Sequence, residues 1–482
     1  MRNGQDYLAA LDDGREVYVD GERVKDIASH SAFSGVAATV AGLYTFASDP
    51  SNGMQYQSPE IGKEASATLM VPTSKEELAT RRGAITRWAE QTVGFMGRTP
   101  DHVGGFLAGF ASHSEFFDRE NGQFGENVSA FYRKVLAEDL YCSYVIIPPQ
   151  LTPGAPNEND FPQAGVAEER DDGIVIRGAQ MLGTSSAISD SVLVSCIKPL
   201  APGEERYATN FVVPMDAPGL KLVCRRPYGA AVPSTFDYPL SSRFDETDAL
   251  VIFDDVFVPW EQVFLYRDLE GLRDQWHATG AHVLGNTQAQ LRLVVKLKFL
   301  VGLARHISQV NGIERIPAVQ EKLADLASLA SIIEGMTLAA ESECHIDEAG
   351  VALPRSRFLY GAMGLQAELY PRVLALIREL AGAGVLQVPS SYKDFYGPAA
   401  ADISRQFGTA SVSAEERIKF FKLVWDAIGS EFASRHLQYE MFYAGAPFVA
   451  KGYAFRNYDF DESLALVDRV LEGYTLPTDD GM

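Results

Sequence analysis

A chain of 482 residues, 46% hydrophobic and 22% charged, is roughly three times the size of a typical domain of about 150 residues, which excludes both a lone binding module and wholesale disorder. With 64 acidic against 42 basic residues, its formal charge of −22 repels phosphate backbones and anionic headgroups, so no nucleic acid and no membrane is expected as a partner.

Arg2 is soon followed by Asp6, Asp12 and Asp13 with no apolar core between them, so no secretory signal is read and a cytoplasmic address is expected. A short helix over residues 7–11 leads into a hairpin of residues 15–19 and 22–24 across Asp20-Gly21. The longest uncharged stretch, residues 27–48, is diluted by Ser29, Ser31, Ser34, Gly35 and Thr39; it is too polar to span a membrane and reads as a buried helix. The next helix opens on Ser74 with Glu77 at capping-box spacing and carries the stripe Leu78, Ile85, Trp88 and Val93. Another starts at Thr99-Pro100, a cap hydroxyl followed by a residue whose φ is already helical. Arg98 and His102 therefore bracket a helix N-terminus, where a permanent cation beside an imidazole suits a phenolate.

From Cys142 the texture changes to short β-branched runs at residues 144–147, 173–176, 192–197, 211–213, 220–223 and 249–253, which predict a compact antiparallel β domain. Residues 140–150 run from a helix end into the first strand and can carry a Tyr hydroxyl and an amide to a cleft between domains; a Pro-, Asn- and Gly-rich connector follows at 151–162. Long helical patterns at 278–310, 317–346, 355–381 and 413–441 then predict a four-helix bundle, the last opening on Ser413 and Glu416. The fold class is α+β, with a helical unit at 1–141, a β unit at 142–265 and a bundle at 266–482.

Cys142, Cys196, Cys224 and Cys344 are far apart, which fits reduced thiols; no metal site is expected, and any cofactor is organic. Phosphate-loop, nucleophile-elbow and zincin motifs are missing, and Gly382-Ala383-Gly384 lacks the strand and third glycine of a nicotinamide-binding turn. Redox chemistry on this chain needs a separate electron donor.

Several ordered blocks carry a resemblance: Tyr7-Leu8, residues 13–18 and 21–26, residues 96–101, residues 238–261 with Leu265-Tyr266-Arg267-Asp268, Pro389-Ser390-Ser391, and residues 425–432. Over nearly the whole chain these resemble the oxygenase components of the 4-hydroxyphenylacetate 3-monooxygenase family. The resemblance implies a fold similar to acyl-CoA dehydrogenases, a homotetramer, and a two-component system. In it a separate NAD(P)H:flavin reductase supplies FAD as FADH2, and O2 is the co-substrate. The implied reaction is ortho-hydroxylation of a small phenol through a C4a-hydroperoxyflavin. The alternatives are a carrier-protein-tethered tyrosine-type substrate or a (chloro)phenol. The isolated cysteines disfavour the iron–sulfur dehydratase chemistry known on a similar scaffold.

Carried over by position, Arg98 holds the phenol oxygen and Thr184 contacts the flavin. Flavin contacts also fall at Tyr144, Val145, Ile146 and Gln150, at Leu151, Thr152 and Pro153, and at the Ala444-Gly445-Ala446 turn. Two positions depart from the family pattern: His102 stands where a Tyr is usual, and Tyr144 where a His is usual. His102 becomes the candidate base, Tyr144 its hydrogen-bond partner or a proton donor, and His282 a second base. Cys196 and Ile197, in a segment that resembles the substrate loop, are candidate substrate contacts.

Overall fold

The computed structural model describes residues 1–150, 161–229, 234–409 and 412–476. Helix α1 (Gly4–Ala10) opens on an Asn3 capping box closed by Asp6. Strands β1 (Glu16–Val19) and β2 (Glu22–Val24) form the expected hairpin; both turn residues, Asp20 and Gly21, have the positive φ that a two-residue turn requires. Helix α2 (Ser34–Ser48) buries Val36, Ala37, Val40, Leu43, Tyr44 and Ala47. In α3 (Lys75–Gln91) the Ser74 hydroxyl accepts from the Glu77 N–H, a cap that contributes about 1 kcal/mol. The reciprocal arm is displaced by one residue, since the Glu77 carboxylate accepts from Thr73 N at 2.6 Å. Helix α4 (Pro100–Ser112) begins as expected, but the Thr99 hydroxyl donates to Asp101 Oδ1 at 2.5 Å rather than capping the helix. Helix α5 (Gly125–Glu138) leads into the β region.

Two sheets form there, one on each side of an apolar core. Their strands are β3 (Cys142–Val145), β4 (Gly165–Arg170), β5 (Gly173–Gln180), β6 (Ser191–Val194), β7 (Asn210–Pro214), β8 (Leu220–Cys224), β9 (Ala249–Pro259) and β10 (Val263–Leu265). The larger sheet has the order β2-β1-β8-β9-β5-β4 and the smaller β10-β7-β6-β3. The arrangement is not purely antiparallel: β3 pairs parallel to β6, and β1 pairs parallel to β8. The N-terminal hairpin thus extends the larger sheet across a long gap in sequence, which short-range patterning does not reveal.

Helix α6 (Leu269–Ala278) precedes the long helices α7 (Ala281–Val310), α8 (Pro317–Ser342) and α9 (Ser356–Ala381). The helical pattern at 413–441 is two helices, α10 (Ala414–Ile428) and α11 (Glu431–Phe442). Gly429 ends the first helix, where the Trp425 ring leaves no space for a side chain, and Ser430 caps a new helix by accepting from Ala433 N at 3.1 Å. Helices α12 (Pro447–Asn457) and α13 (Phe460–Glu472) follow. By length and composition α8 could cross a membrane, yet it packs between α7 and α9, with Ile332 and Leu338 exposed on its outer side.

Candidate active site

The segment before α4 is held at four points. Gly94 O accepts from Arg292 Nη1 at 3.1 Å, Gly97 N and Arg98 N donate to the buried Glu246 carboxylate at 2.9 and 2.5 Å, and the Tyr141 hydroxyl donates to Arg98 O. Gly97 has no room for a side chain, because a Cβ would run into the Tyr439 hydroxyl. So fixed, the Arg98 guanidinium lies 5.2, 5.3 and 5.1 Å from the ring centres of Tyr144, Tyr439 and Tyr443. Such cation–π contacts favour the charged form without neutralising it. Burial disfavours the charge, but the three tyrosines and Glu246 outweigh it and raise the Arg98 pKa. Among the described residues the guanidinium makes no ion pair.

Its Nη1 donates instead to His102 Nε2. His102 is fully buried, and burial followed by the Arg98 charge pushes its pKa well below the ordinary imidazole value, so the ring is neutral. Its Nδ1 lies 3.2 Å from Gln288 Oε1 on α7, and Gln288 Nε2 donates to Asp101 Oδ1 at 3.0 Å and to Thr99 Oγ1 at 3.2 Å. Burial pushes the Asp101 carboxyl up to about 6 against opposing hydrogen bonds from Thr99 and Gln288. Tyr144, expected to hydrogen-bond His102, meets it ring against ring at 5.5 Å; Gln288 occupies that role.

The other candidates are more dispersed. Thr184, between β5 and β6, donates its hydroxyl to Asp248 Oδ1 at 2.6 Å. Arg435 and Arg225 hold that carboxylate well below its usual range despite burial. Arg435 also faces Glu246 at 3.6 Å, so Thr184 and Arg98 share one scaffold. Ala444-Gly445-Ala446 follows α11 directly, with φ +86° at Gly445 and only Val449 near its open face. Ile146 is half-buried and Gln150 exposed, whereas the Val145 side chain is core, leaving only its backbone for a ligand. Leu151, Thr152 and Pro153 lie outside the described residues.

Cys196 packs with Ala208 and Leu272 in a separate apolar cluster. Ile197 is exposed, tied by its backbone N–H to Ile146 O at 2.9 Å. His282 has its Nδ1 2.8 Å from the Tyr360 hydroxyl and its ring 4.3 Å from that of His277. A cavity of about 420 Å³ between α2 and residues 227–245 contains none of the candidate residues.

Directly behind the cage lies a second charged group. Arg292 makes a bidentate pair with Glu440 at 2.5 and 2.9 Å, and Lys296 Nζ adds a third contact at 2.9 Å. Gln366 Nε2 donates to the same carboxylate at 2.7 Å. Sequence reasoning missed this network, and it missed Gln288, Tyr439 and Tyr443. The last two were accessible from their four-residue spacing, which places them on one helix face.

A family profile described as 4-hydroxyphenylacetate 3-hydroxylase N terminal matches residues 3–265, and one described as 4-hydroxyphenylacetate 3-hydroxylase C terminal matches residues 272–472. The chain is 35% identical to the pyoverdin chromophore biosynthetic protein PvcC of Pseudomonas aeruginosa, over 92% of this chain and 89% of the relative. It is 34% identical to the 4-hydroxyphenylacetate 3-monooxygenase oxygenase component of Thermus thermophilus, over 92% of each. It is 32% identical to a Streptomyces globisporus monooxygenase named for a peptidyl-carrier-protein-bound 3-chloro-4-hydroxyphenyl substrate, over 92% of this chain and 84% of the relative. A crystal structure of a 4-hydroxyphenylacetate 3-monooxygenase oxygenase component, complexed with FAD and 4-hydroxyphenylacetate, superimposes with TM-score 0.91 at 32% identity, covering 98% of this chain and 99% of that one. An archaeal 4-hydroxybutyryl-CoA dehydratase shares the fold, with TM-score 0.88 at 20% identity over 99% and 96% of the two chains.

Proposed function

The chain belongs to the 4-hydroxyphenylacetate 3-hydroxylase family, and on that premise we propose that it is the oxygenase component of a two-component, FADH2-dependent monooxygenase that hydroxylates a phenol ortho to its hydroxyl. The observation that carries this reading is an Arg98 guanidinium that has no carboxylate partner among the described residues and is caged by three tyrosines beside a neutral imidazole acceptor.

The residues present fit a flavin. The small side chains of Ala444-Gly445-Ala446 and the open face of Gly445 admit a flat ring close to the backbone, and the Thr184 hydroxyl and half-buried Ile146 supply a polar and an apolar contact. Bound there in reduced form, the cofactor supplies the two electrons that activate O2 to an electrophilic oxygen donor. The chain's own task is to make the acceptor carbon electron-rich. Arg98 accommodates the phenol oxygen through charge-assisted hydrogen bonds, and as its Nη1 hydrogen turns from His102 Nε2 to that oxygen, Nε2 is freed to accept the phenolic proton. Moving a phenol pKa from ~10 to ~7 requires about 4 kcal/mol of preferential stabilisation of the phenolate, within reach of a half-buried guanidinium that makes no ion pair among the described residues. Water exclusion by Phe106, Tyr144 and Tyr443 around His102 strengthens these interactions.

A separate flavin reductase as electron source, a homotetramer and a cytoplasmic location belong to the same proposal. Four free cysteines suit a reducing compartment. Apolar side chains exposed on α8 and α13, among them Ile332, Leu338, Leu464, Val467 and Val470, suit burial against further copies. The likeness to the carrier-protein-dependent relative favours a tethered tyrosine-type phenol as the second reading.

The test supplies FADH2 from a reductase under air and offers 4-hydroxyphenylacetate, 4-nitrophenol and a carrier-tethered tyrosine in turn. One of them should gain a single oxygen as a catechol. Conversion of all the electrons to H2O2 with every phenol defeats the reading.

A further inference from the structure

The role given to His102 needs one particular tautomer, and the residues behind it determine which. Asp101, Thr99 and Gln288 are buried together at the start of α4, against the middle of α7. An ionised carboxylate can only accept, so the group facing Asp101 Oδ1 at 3.0 Å must be the Gln288 amide nitrogen. The Thr99 hydroxyl spends its proton on the same Asp101 oxygen and offers its lone pair to the second amide hydrogen at 3.2 Å. Both amide hydrogens are thereby used, and Gln288 Oε1 is turned towards His102 Nδ1 at 3.2 Å. That nitrogen must carry the proton. On the other side, Arg98 brings an N–H to Nε2, where a second proton would oppose it.

From this double constraint we propose that Gln288 and Asp101 are positioning residues that lock His102 in the Nδ1–H tautomer, so that Nε2 keeps a lone pair, which accepts from Arg98 in the free protein and becomes open to the substrate phenol when that N–H turns to the phenol oxygen. The inference rests on the phenol-hydroxylase reading above, and it concerns a histidine at a position where the family pattern has tyrosine. A tyrosine hydroxyl can rotate between donating and accepting; an imidazole cannot, and needs its tautomer set from behind. The groups that face His102 are Arg98 and Arg292, which both disfavour its protonation, and the rings of Phe106, Tyr144 and Tyr443. Asp101 is faced by Thr99, Gln288 and Arg81. The helix N-terminus further favours the carboxylate form on which the amide orientation depends.

Neutron diffraction on deuterated, substrate-free protein near pH 7.5 reads the tautomer directly: deuterium on Nδ1 and none on Nε2 is expected, and the reverse overturns the proposal. The functional arm uses 4-nitrophenol, whose phenolate is coloured, bound with and without oxidised FAD. Gln288→Leu should raise the pH at which the bound probe ionises by about one unit, a tenfold loss of phenolate at fixed pH. Gln288→Glu should largely restore it, because its carboxyl can share a proton with Asp101 and still accept from Nδ1. Equal shifts in the two variants, or none in either, would mean the amide serves packing alone and defeats the proposal. If wild type binds and hydroxylates no phenol, the enzymatic reading fails, while the neutron map still decides the tautomer.

Discussion

Three guanidiniums, those of Arg98, Arg292 and Arg435, lie against the ring of Tyr439, and the first two have opposite surroundings. Arg98 and Arg292 sit 5.3 and 5.4 Å from the centre of Tyr439. Arg292 is neutralised by a partner: a bidentate carboxylate and a backbone carbonyl take up its two terminal nitrogens, with an ammonium sharing that carboxylate, in a fully buried bundle core where only its Nε lacks a partner among the described residues. Arg98 has one neutral imidazole and three ring faces, and it keeps some accessible surface. A charge whose partner is already built in serves the fold. A charge left with polarizable rings is held in place but uncompensated, which is the state needed to receive an anion.

Breaking each site should therefore damage a different property. Arg292→Met leaves Glu440 buried with one ammonium and should cost about 3–5 kcal/mol in chemical denaturation, with little left to assay. Arg98→Met should unfold within about 1 kcal/mol of wild type yet hydroxylate about a thousandfold more slowly, the equivalent of the ~4 kcal/mol assigned to phenolate stabilisation. Arg98→Lys should not rescue it, since an ammonium cannot replace the planar fork. Equal loss of stability in both would erase the contrast. Glycines sharpen the same division. Gly94→Ala places a Cβ against the α7 backbone at a φ of +75° and should cost about 1–3 kcal/mol of stability. Gly97→Ala displaces Tyr439 and should show chiefly as slower turnover at near-normal unfolding.

The last effect is a pair of pH slopes of opposite sign. Glu440 is held at about 2 against an ordinary 4.5, with Arg292 and Lys296 outweighing burial, so its contribution is complete above 4.5 and is lost as pH falls towards 2. Asp101 is pushed up to about 6 from 3.8, so folding loses stability as pH rises through that interval. Comparing wild type with Glu440→Gln and with Asp101→Asn across pH 2–7 should separate the two windows.

Local rules made much of this legible. Ser74, Pro100, Asp20-Gly21 and the apolar stripes announced their helices and turn because capping, fixed φ and periodicity act over a few residues. Arg98 and His102 were likewise visible as neighbours across one helical turn. What tunes them was not: Glu246, Gln288 and Tyr439 reach the site from distant segments, and no spacing in the chain encodes that meeting. Thr99 shows the limit within a local motif, for its hydroxyl had a cap position available and took a side-chain partner instead. The split after Ile428 falls at the Gly429 helix end and the Ser430 cap, two local signals inside a run whose apolar period continues across them.

The pairing of Val17 with Leu222 has a consequence for biosynthesis. The leading hairpin emerges from the ribosome roughly two hundred residues before the strand it must dock on, a wait of about 10–40 s at ordinary elongation rates. During that time one flank of the hairpin is an open edge, available to any other extended chain. Nascent chains released before residue 220 should therefore be the species most dependent on chaperones, and slowing translation there should lower the soluble yield without changing the finished enzyme.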